Sequence, residues 1–321
     1  MKAKLIRSAA RVLGTVAVVI FAAWIVVAQP SCRGNHGSGV TADPVTLRKH
    51  VETLSQRLSP RDWQHRDNLD RCADYVAQHF RQAGATVEFQ PFTVYGKPYR
   101  NVIGRFGVGK GSRVVVGAHY DTFGEGPGAD DNASGIAVLI ELAYLVGRSS
   151  PGSEVEVVAY VLEEPPFFRT EFMGSAIHAK SLSERKATVR GIVVLEMVGC
   201  FRDEWGSQSY PSLLLRLIYP SRANFIAVAS RWDQGDWIKR VKAGMKGATD
   251  LPVYSIRAPS VIPGIDFSDH MNYWPYGFQA LMVTDTAFYR NRVYHTAEDT
   301  ADRLDYIRMA KVVVALFEAV H

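Results

Sequence analysis

Apolar residues recur along this chain with two alternating periods, and the alternation predicts a layered architecture. From Asn68 to Ala83, Leu69, Cys72, Val76 and Phe80 share one helical face, and Gly84 stands where a C-terminal cap belongs. Val87–Val94 and Asn101–Phe106 read as strands on either side of a turn at Gly96-Lys97-Pro98. Arg113 to Ala118 is a short Val-rich run of the kind that forms a fully buried strand. Helix signals return over Ser134–Val146, strand signals over Glu154–Leu162, helix over Glu171–Ser181, and a third buried strand over Gly191–Leu195. Ser221–Lys242 reads as partly helical, Gln279–Thr284 as a strand, and Ala301–Val320 as a closing amphipathic helix. This order predicts an α/β fold: a single three-layer domain whose mixed, mainly parallel central sheet is flanked by helices. Neither an internal repeat nor a shift of composition divides the chain after residue 43.

The first thirty residues break the pattern. Lys2, Lys4, Arg7 and Arg11 precede Val12–Ala28, a run of 17 residues without a charge. At a rise of about 1.5 Å per residue such a run reaches the short edge of a ~30 Å hydrocarbon core. Basic residues before it predict that the N-terminus stays in the cytoplasm and the rest is exported. Two fates remain open. Either Val26-Val27-Ala28 is a small-residue cleavage site and the protein is secreted or periplasmic, or the segment persists as a membrane anchor with the domain outside the cytoplasm. Residues 1–30 are therefore read as signal peptide or anchor, 31–43 as a polar linker, and 44–321 as the domain.

Composition narrows the remaining choices. The chain has 321 residues, 47% of them hydrophobic and 21% charged, which argues against disorder. Its net charge of +5 is spread rather than striped, so no nucleic-acid surface is expected. The three cysteines, Cys32, Cys72 and Cys200, lack the spacing of a zinc-thiolate site, and Cys72 belongs to the apolar face of its helix.

Chemistry gathers at the ends of the expected strands. The run to Ala118 leads straight into His119-Tyr120-Asp121, an imidazole with a carboxylate two residues on, within reach of its second ring nitrogen. Asp130-Asp131-Asn132 follows in a glycine-bounded turn before a helix; one of these polar residues, Asp130 or Asn132, suits a helix cap, but two adjacent acids exceed that need. The next strand ends in Glu163-Glu164, two side chains that point apart and can divide metal ligation from proton transfer. Glu196 closes a third strand, and Tyr294-His295 follows the fourth. Taken singly, each of these has a structural explanation. Together they supply two histidines and several carboxylates at the carboxyl edge of one sheet, where ligands bind in such folds, and that is a donor set for zinc.

Six stretches in order, Gly117–Thr122, Gly128–Gly135, Leu162–Glu164, Leu195–Gly199, Ser268–His270 and Tyr294–Thr300, make the chain resemble the M28 family of zinc metallopeptidases. The resemblance implies two zinc ions per chain bridged by Asp131, one held also by His119 and Glu196, the other by Glu164 and His295. It further implies Glu163 as general base toward a water shared by the metals, Tyr294 as a hydrogen-bond donor to the oxyanion, Asp121 orienting His119, and Asp269 in a supporting role. Two departures bear on the site: Glu196 stands where the family often has Asp, and Pro165-Pro166-Phe167-Phe168 where many relatives have a glycine. The implied activity is that of an exopeptidase acting on peptides, an aminopeptidase. Two other readings are a glutaminyl-cyclase-like acyl transfer on one zinc ion and a non-catalytic binding domain of the same fold. Phe167, Phe168, Tyr273 and Trp274 suit a pocket lining and core packing equally.

Overall fold

The computed structural model describes residues 11, 14–15, 18, 21–22, 24–31, 34, 37–149 and 151–321. Lys2, Lys4, Arg7, Cys32 and much of the N-terminal apolar run lie outside the described residues. Among the described residues no helix is long and apolar enough to cross a membrane. Strands form at Thr86–Val94 (β1), Lys97–Phe106 (β2), Arg113–His119 (β3), Glu154–Tyr160 (β4), Val189–Glu196 (β5), Ile226–Arg231 (β6), Val253–Ala258 (β7) and Ala280–Thr284 (β8). They make one mixed sheet in the order β1-β2-β4-β3-β5-β8-β6-β7. The centre, β4-β3-β5-β8, is parallel throughout, and β6-β7 is a parallel pair; β1-β2, β2-β4 and β8-β6 are antiparallel.

Helices occupy both faces: Pro44–Glu52 (α1), Arg66–Gln82 (α2), Gly135–Ser149 (α3), Gly174–Glu184 (α4), Leu213–Ile218 (α5), Gly235–Met245 (α6) and Tyr306–Val320 (α7). The period of two along β3 sorts the layers. Val114, Val116 and Ala118 pack with apolar residues of α1, α2, α3, α6 and α7. Val115 faces the other way, into a smaller cluster with Ala179 and Leu182 of α4 and Tyr273 and Trp274 of the 3₁₀ segment Asp269–Tyr276. Both faces of β3 and β4 are thus covered, which is why β3 reads as an unbroken apolar run after Arg113; in β4 the buried Glu156 interrupts the run and is paired with Arg105, Arg113 and His178. Phe167, Tyr273 and Trp274 are core residues: the Tyr273 hydroxyl lies 2.5 Å from that of Tyr160 and 2.8 Å from His178 Nδ1.

Three local expectations shift. The β1–β2 turn falls on Tyr95 and Gly96, both with positive φ, the backbone that matches the twist of a two-residue hairpin. Lys97 and Pro98 therefore belong to β2, and Pro98 is tolerated because β4 pairs only with Val102–Phe106. The stretch expected to be partly helical contains β6, and β7 appears where no strand was expected. Ala227 and Ala229 carry a helical preference, but pairing with β7 and β8 overrides it. The closing helix divides: Ala301–Arg303 is a separate 3₁₀ turn, and α7 begins after Asp305, whose carboxylate caps it through the Arg308 N–H.

One contact sets how closely α6 approaches the sheet. Trp237 donates its indole N–H to the Ile192 carbonyl at 2.9 Å, and its ring lies over Gly191, where an added Cβ would stand 2.3 Å from the indole. Trp237 is buried and has no free end to swing aside. Gly191→Ala is expected to lower stability by about 1–3 kcal/mol through overpacking. Urea unfolding of the variant beside wild type checks this, and an unchanged midpoint would show that the ring shifts at no cost.

Candidate metal centre

The carboxyl ends of β3, β4 and β5 lie along one edge of the sheet, and the acids and imidazoles collect there. His119 is the last residue of β3 and Glu196 the last of β5, while Glu163 and Glu164 follow β4 by three and four residues. Asp131 comes from the irregular turn Ala129–Ser134 before α3, and His295 from the loop beyond β8. Two triads result, His119–Asp131–Glu196 and Asp131–Glu164–His295, the ligand atoms of each within 4.8 Å of one another. Asp131 belongs to both: Oδ1 stands 3.4 Å from His119 Nε2, and Oδ2 stands 3.1 Å from His295 Nε2. His119 Nε2 is also 3.4 Å from Glu196 Oε2, and His295 Nε2 is 3.3 Å from Glu164 Oε2.

Whether these residues suit a metal is tested by where their atoms point. Despite those short separations, Nε2 of both histidines and Oε1 of Glu164 have no partner in hydrogen-bond geometry among the described residues, although all are buried. Buried polar atoms rarely go unpaired. Here they converge on common points instead of on one another, with mixed nitrogen and oxygen donors of the kind zinc takes. Electrostatics agree. Burial opposes ionisation of Asp131, yet both histidines hold its carboxyl well below the ordinary range. Burial and the Asp131 charge push Glu164 up to about 8, and burial, reinforced by Glu196 and Glu164, drives Glu163 well above a normal carboxyl. Burial works against protonation of His295, but Asp131 and Glu164 raise it to about 10. The donor set fits a metal such as zinc, and Asp131 is common to both candidate groups.

A second layer holds the donors. Asp121 accepts the Glu163 N–H at 3.2 Å and the Glu164 N–H at 3.1 Å, one on each carboxylate oxygen. His119 Nδ1 makes its hydrogen bond to the Asp121 carbonyl, at 3.2 Å, with the carboxylate 3.6 Å away. The turn carrying Asp131 is zipped to the chain after β5. Asn132 Oδ1 accepts from Met197 N and also from Gly135 N, capping α3, while its amide donates to Leu195 O. Ser134 accepts from Val198 N, and Asp130 from Gly199 N. Asp299 accepts the Asp130 and Asp131 N–H groups. His295 is clamped between the rings of Phe123 and Tyr294, with centroids 4.1 and 3.7 Å away. Leu162, Met197 and His295 all have positive φ, a backbone that costs about 1–3 kcal/mol per non-glycine residue and gathers at functional sites.

All nine residues expected at the site lie at or beside this edge. Asp269 is buried beside Ser175, and its neighbour Ser268 donates to Glu196 Oε2, at 2.7 Å. His270 is structural: Nε2 donates to Ile265 O, and burial lowers its pKa to about 4. Asp130, Cys200 and Asp285 form a third close group, but Asp130 accepts from Gly199 and Asn291, and Asp285 from Cys200 and Ala287. Sequence reasoning missed Arg61. Its fully buried guanidinium donates to the carbonyls of Leu54, Tyr120, Pro127 and Gly128, tying the His119 and Asp131 loops to the N-terminal helices. All four partners are main-chain carbonyls, so no side-chain pattern marks it. Beside the centre, Glu196 and Tyr294 form one end of an apolar cleft of about 860 Å³, its open mouth included.

The model of peptidase family M28 matches residues 101–320, well over half of the chain. The chain belongs to peptidase family M28. This M28 peptidase is 46% identical over 280 residues to Escherichia coli (strain K12) YfbL, an uncharacterized protein, spanning 85% of this chain and 86% of YfbL. Its fold is that of BSAP, a zinc aminopeptidase from Bacillus subtilis (TM-score 0.68, 14% identity, 87% of this chain and 94% of BSAP). It is equally that of a Bacteroides thetaiotaomicron glutaminyl cyclase (TM-score 0.66, 18% identity, 88% and 98%). Membership in the family makes the chain a metallopeptidase, and peptides its substrates.

A metal that binds only the folded chain stabilises it by linkage, about 4 kcal/mol at a thousandfold excess over Kd. At roughly 2–4 °C per kcal/mol, stripping zinc from the M28 peptidase with dipicolinate is expected to lower Tm by roughly 10 °C. Returning zinc should restore it. Calorimetry of the stripped and reloaded protein reads this without any substrate; an unmoved Tm would mean that the triads hold no structural metal.

Proposed function

We propose that this M28 peptidase is a zinc aminopeptidase with two zinc ions, one on His119, Asp131 and Glu196 and the other on Asp131, Glu164 and His295. The observation that carries the reading is the sharing of Asp131 by two complete triads, with Glu163 left over. Zinc bound there supplies Lewis acidity, which makes water more acidic and draws charge from a carbonyl oxygen. Glu163 belongs to neither triad, yet its Oε2 lies 4.0 Å from His119 Nε2, inside the same buried edge. A carboxylate at that place, outside both triads, suits a group that takes a proton from the attacking water and returns it to the leaving amine. The phenol of Tyr294 is held protonated by burial and by the nearby Asp131, so it can donate a hydrogen bond to the developing oxyanion.

The acids also suit a free α-ammonium. Asp131, Glu163, Glu164 and Glu196 carry four charges when ionised, which two divalent zinc ions would balance. Asp121 and Asp269, both buried nearby, leave a surplus that favours a cationic peptide end. The apolar cleft beyond Glu196 and Tyr294 suits a large hydrophobic side chain. Its floor includes Ala227 and Ala229, alternate residues of β6 on the face opposite the core residues Ile226 and Val228. The basic flank and apolar run at the N-terminus support a domain outside the cytoplasm, tethered to the membrane where the segment is kept and released where it is cleaved.

Glu163→Gln is expected to keep its zinc and lose turnover by about 10²–10⁴-fold. Aminoacyl-anilide kinetics with zinc measured on the same sample decide this, and wild-type turnover would remove Glu163 from the reaction. Two zinc ions per chain are expected; one per chain, with cyclisation of N-terminal glutamine, would favour the cyclase reading. Ala229→Phe should fill the cleft and reduce kcat/KM for leucyl relative to alanyl anilide by roughly tenfold or more. An unchanged ratio would place the side-chain pocket elsewhere.

A further inference from the structure

Three leucines stand exposed on one short helix. Leu213, Leu214 and Leu217 of α5 are 76%, 71% and 83% accessible, and no residue of this helix is fully buried. Arg216 is its only charged residue. Among single exposed apolar residues, a cluster of this kind marks an interaction surface.

What covers the cluster is indicated by what lies next to it. Ile218 and Tyr219, at the end of α5, share a surface recess with Trp24, Ala28, Pro30 and Ser31. Those residues are the last of the N-terminal apolar run and the first beyond it. The junction is fixed to the domain. Lys242, almost wholly buried, donates to the carbonyls of Ala28 and Gln29 at 2.8 and 2.9 Å. Ser255 donates to Ala28 O at 2.9 Å, and the Lys246 ammonium reaches Ser31 O. Cleavage after Ala28 would remove one acceptor of a buried ammonium, so the docked arrangement requires the segment to remain.

We propose that the chain keeps its apolar segment and that α5 lies on the bilayer beside it, with Leu213, Leu214 and Leu217 among the acyl chains. This rests on the tethered, exported reading above and adds a second, orienting contact. A bilayer that takes up residues 12–28 has its surface near residues 28–31, and the Lys242 and Ser255 clamp holds α5 at that level. Arg216 is exposed on α5 and Lys246 lines the adjoining recess, and both suit anionic headgroups, as basic residues do at interfacial helices. Pro211, Leu215 and Tyr219 on and around α5 also wall the apolar cleft, so its rim lies at the lipid surface. Peptides held at a membrane by their own apolar segments are the substrate class this geometry presents to the site.

The test uses the full-length chain in vesicles of phosphatidylcholine and phosphatidylglycerol. Cys32→Ser with Leu214→Cys is labelled with an environment-sensitive fluorophore, Cys72 and Cys200 being buried. The comparison carries the label at Tyr95→Cys, an exposed hairpin residue remote from α5 in the sheet order. The expected result is blue-shifted emission at position 214 and its loss to acyl-chain nitroxide lipids, with neither at position 95. Emission at 214 matching that at 95 overturns the proposal while leaving the tether intact. A shielded label that acyl-chain nitroxides do not quench means a second copy or a peptide covers the leucines, and also overturns it. Recovered protein that begins at Gln29 and stays in solution overturns both the docking and the tether. Anilide hydrolysis on the same samples reads the aminopeptidase assignment independently of these outcomes.

Discussion

Four carboxylates share one buried corner of this protein, and their mutual repulsion is the constraint that the surrounding structure answers. Two unit charges about 4 Å apart repel by roughly 4 kcal/mol at an effective dielectric of 20. Asp131, Glu163, Glu164 and Glu196 together could therefore cancel the 5–15 kcal/mol by which a domain is typically stable. The two histidines ease the conflict, and burial with the neighbouring charges pushes the carboxyls of Glu163 and Glu164 up, towards the protonated form. A bound dication would relieve it further. A site this costly without metal is selective for metal, because the binding energy includes the relief of repulsion already built into the fold.

Holding like charges together requires a rigid frame, and the frame is made of main-chain hydrogen bonds. Asp121, Asp130, Asn132, Ser134 and Asp299 each receive at least one backbone N–H from the loops that carry the donors. Arg61 does the complementary work on the carbonyl side, binding four of them from within the core. The acids near the centre thus divide by role. Glu164, facing the cavity, keeps Oε1 unpaired among the described residues, and Asp121, Asp130 and Asp299, behind it, accept N–H donors. The strained backbone at Leu162, Met197 and His295 persists because these bonds over-determine it.

Much of this was legible in the sequence, for reasons that also mark the limits. Strand β3 is buried on both faces and reads as an unbroken apolar run after Arg113, and β4 and β5, beyond Glu156 and Arg190, likewise run apolar into polar endings; the runs give the strands and the endings give the site. Strands β6 and β7 did not read this way. β6 alternates core residues with the alanines of the cleft, and alanine carries no strand signal. The hairpin turn was placed one residue late because Pro98 suggests a turn more strongly than Tyr95 does. The contacts of Arg61 and Phe123, and the role of Ser268 within its quoted stretch, were not legible because each acts on a partner distant in sequence, 59 residues for Arg61 and Tyr120, through geometry that no local spacing encodes. The sorting of Asp130 from Asp131 needed the three-dimensional partner as well: one accepts from Gly199, the other faces both histidines.

The same logic explains how two adjacent glutamates come to differ. Glu163 and Glu164 have similar burial, identical side chains and one shared support, since a single carboxylate, that of Asp121, takes both their N–H groups. That fork fixes the two peptide planes side by side, and with Leu162 in the left-handed region the side chains leave in different directions. Glu164 is carried to His295, at 3.3 Å, and into a triad with Asp131. Glu163 is carried to the His119 side and stops at 4.0 Å, in neither triad. A ligand is stabilised in its charged form by the cation it holds; a carboxylate outside the triads keeps a proton affinity set by burial and by its acidic neighbours. The difference between Glu164, inside a triad, and Glu163, outside both, is therefore one of backbone direction, imposed by Asp121 two residues beyond the strand-end histidine.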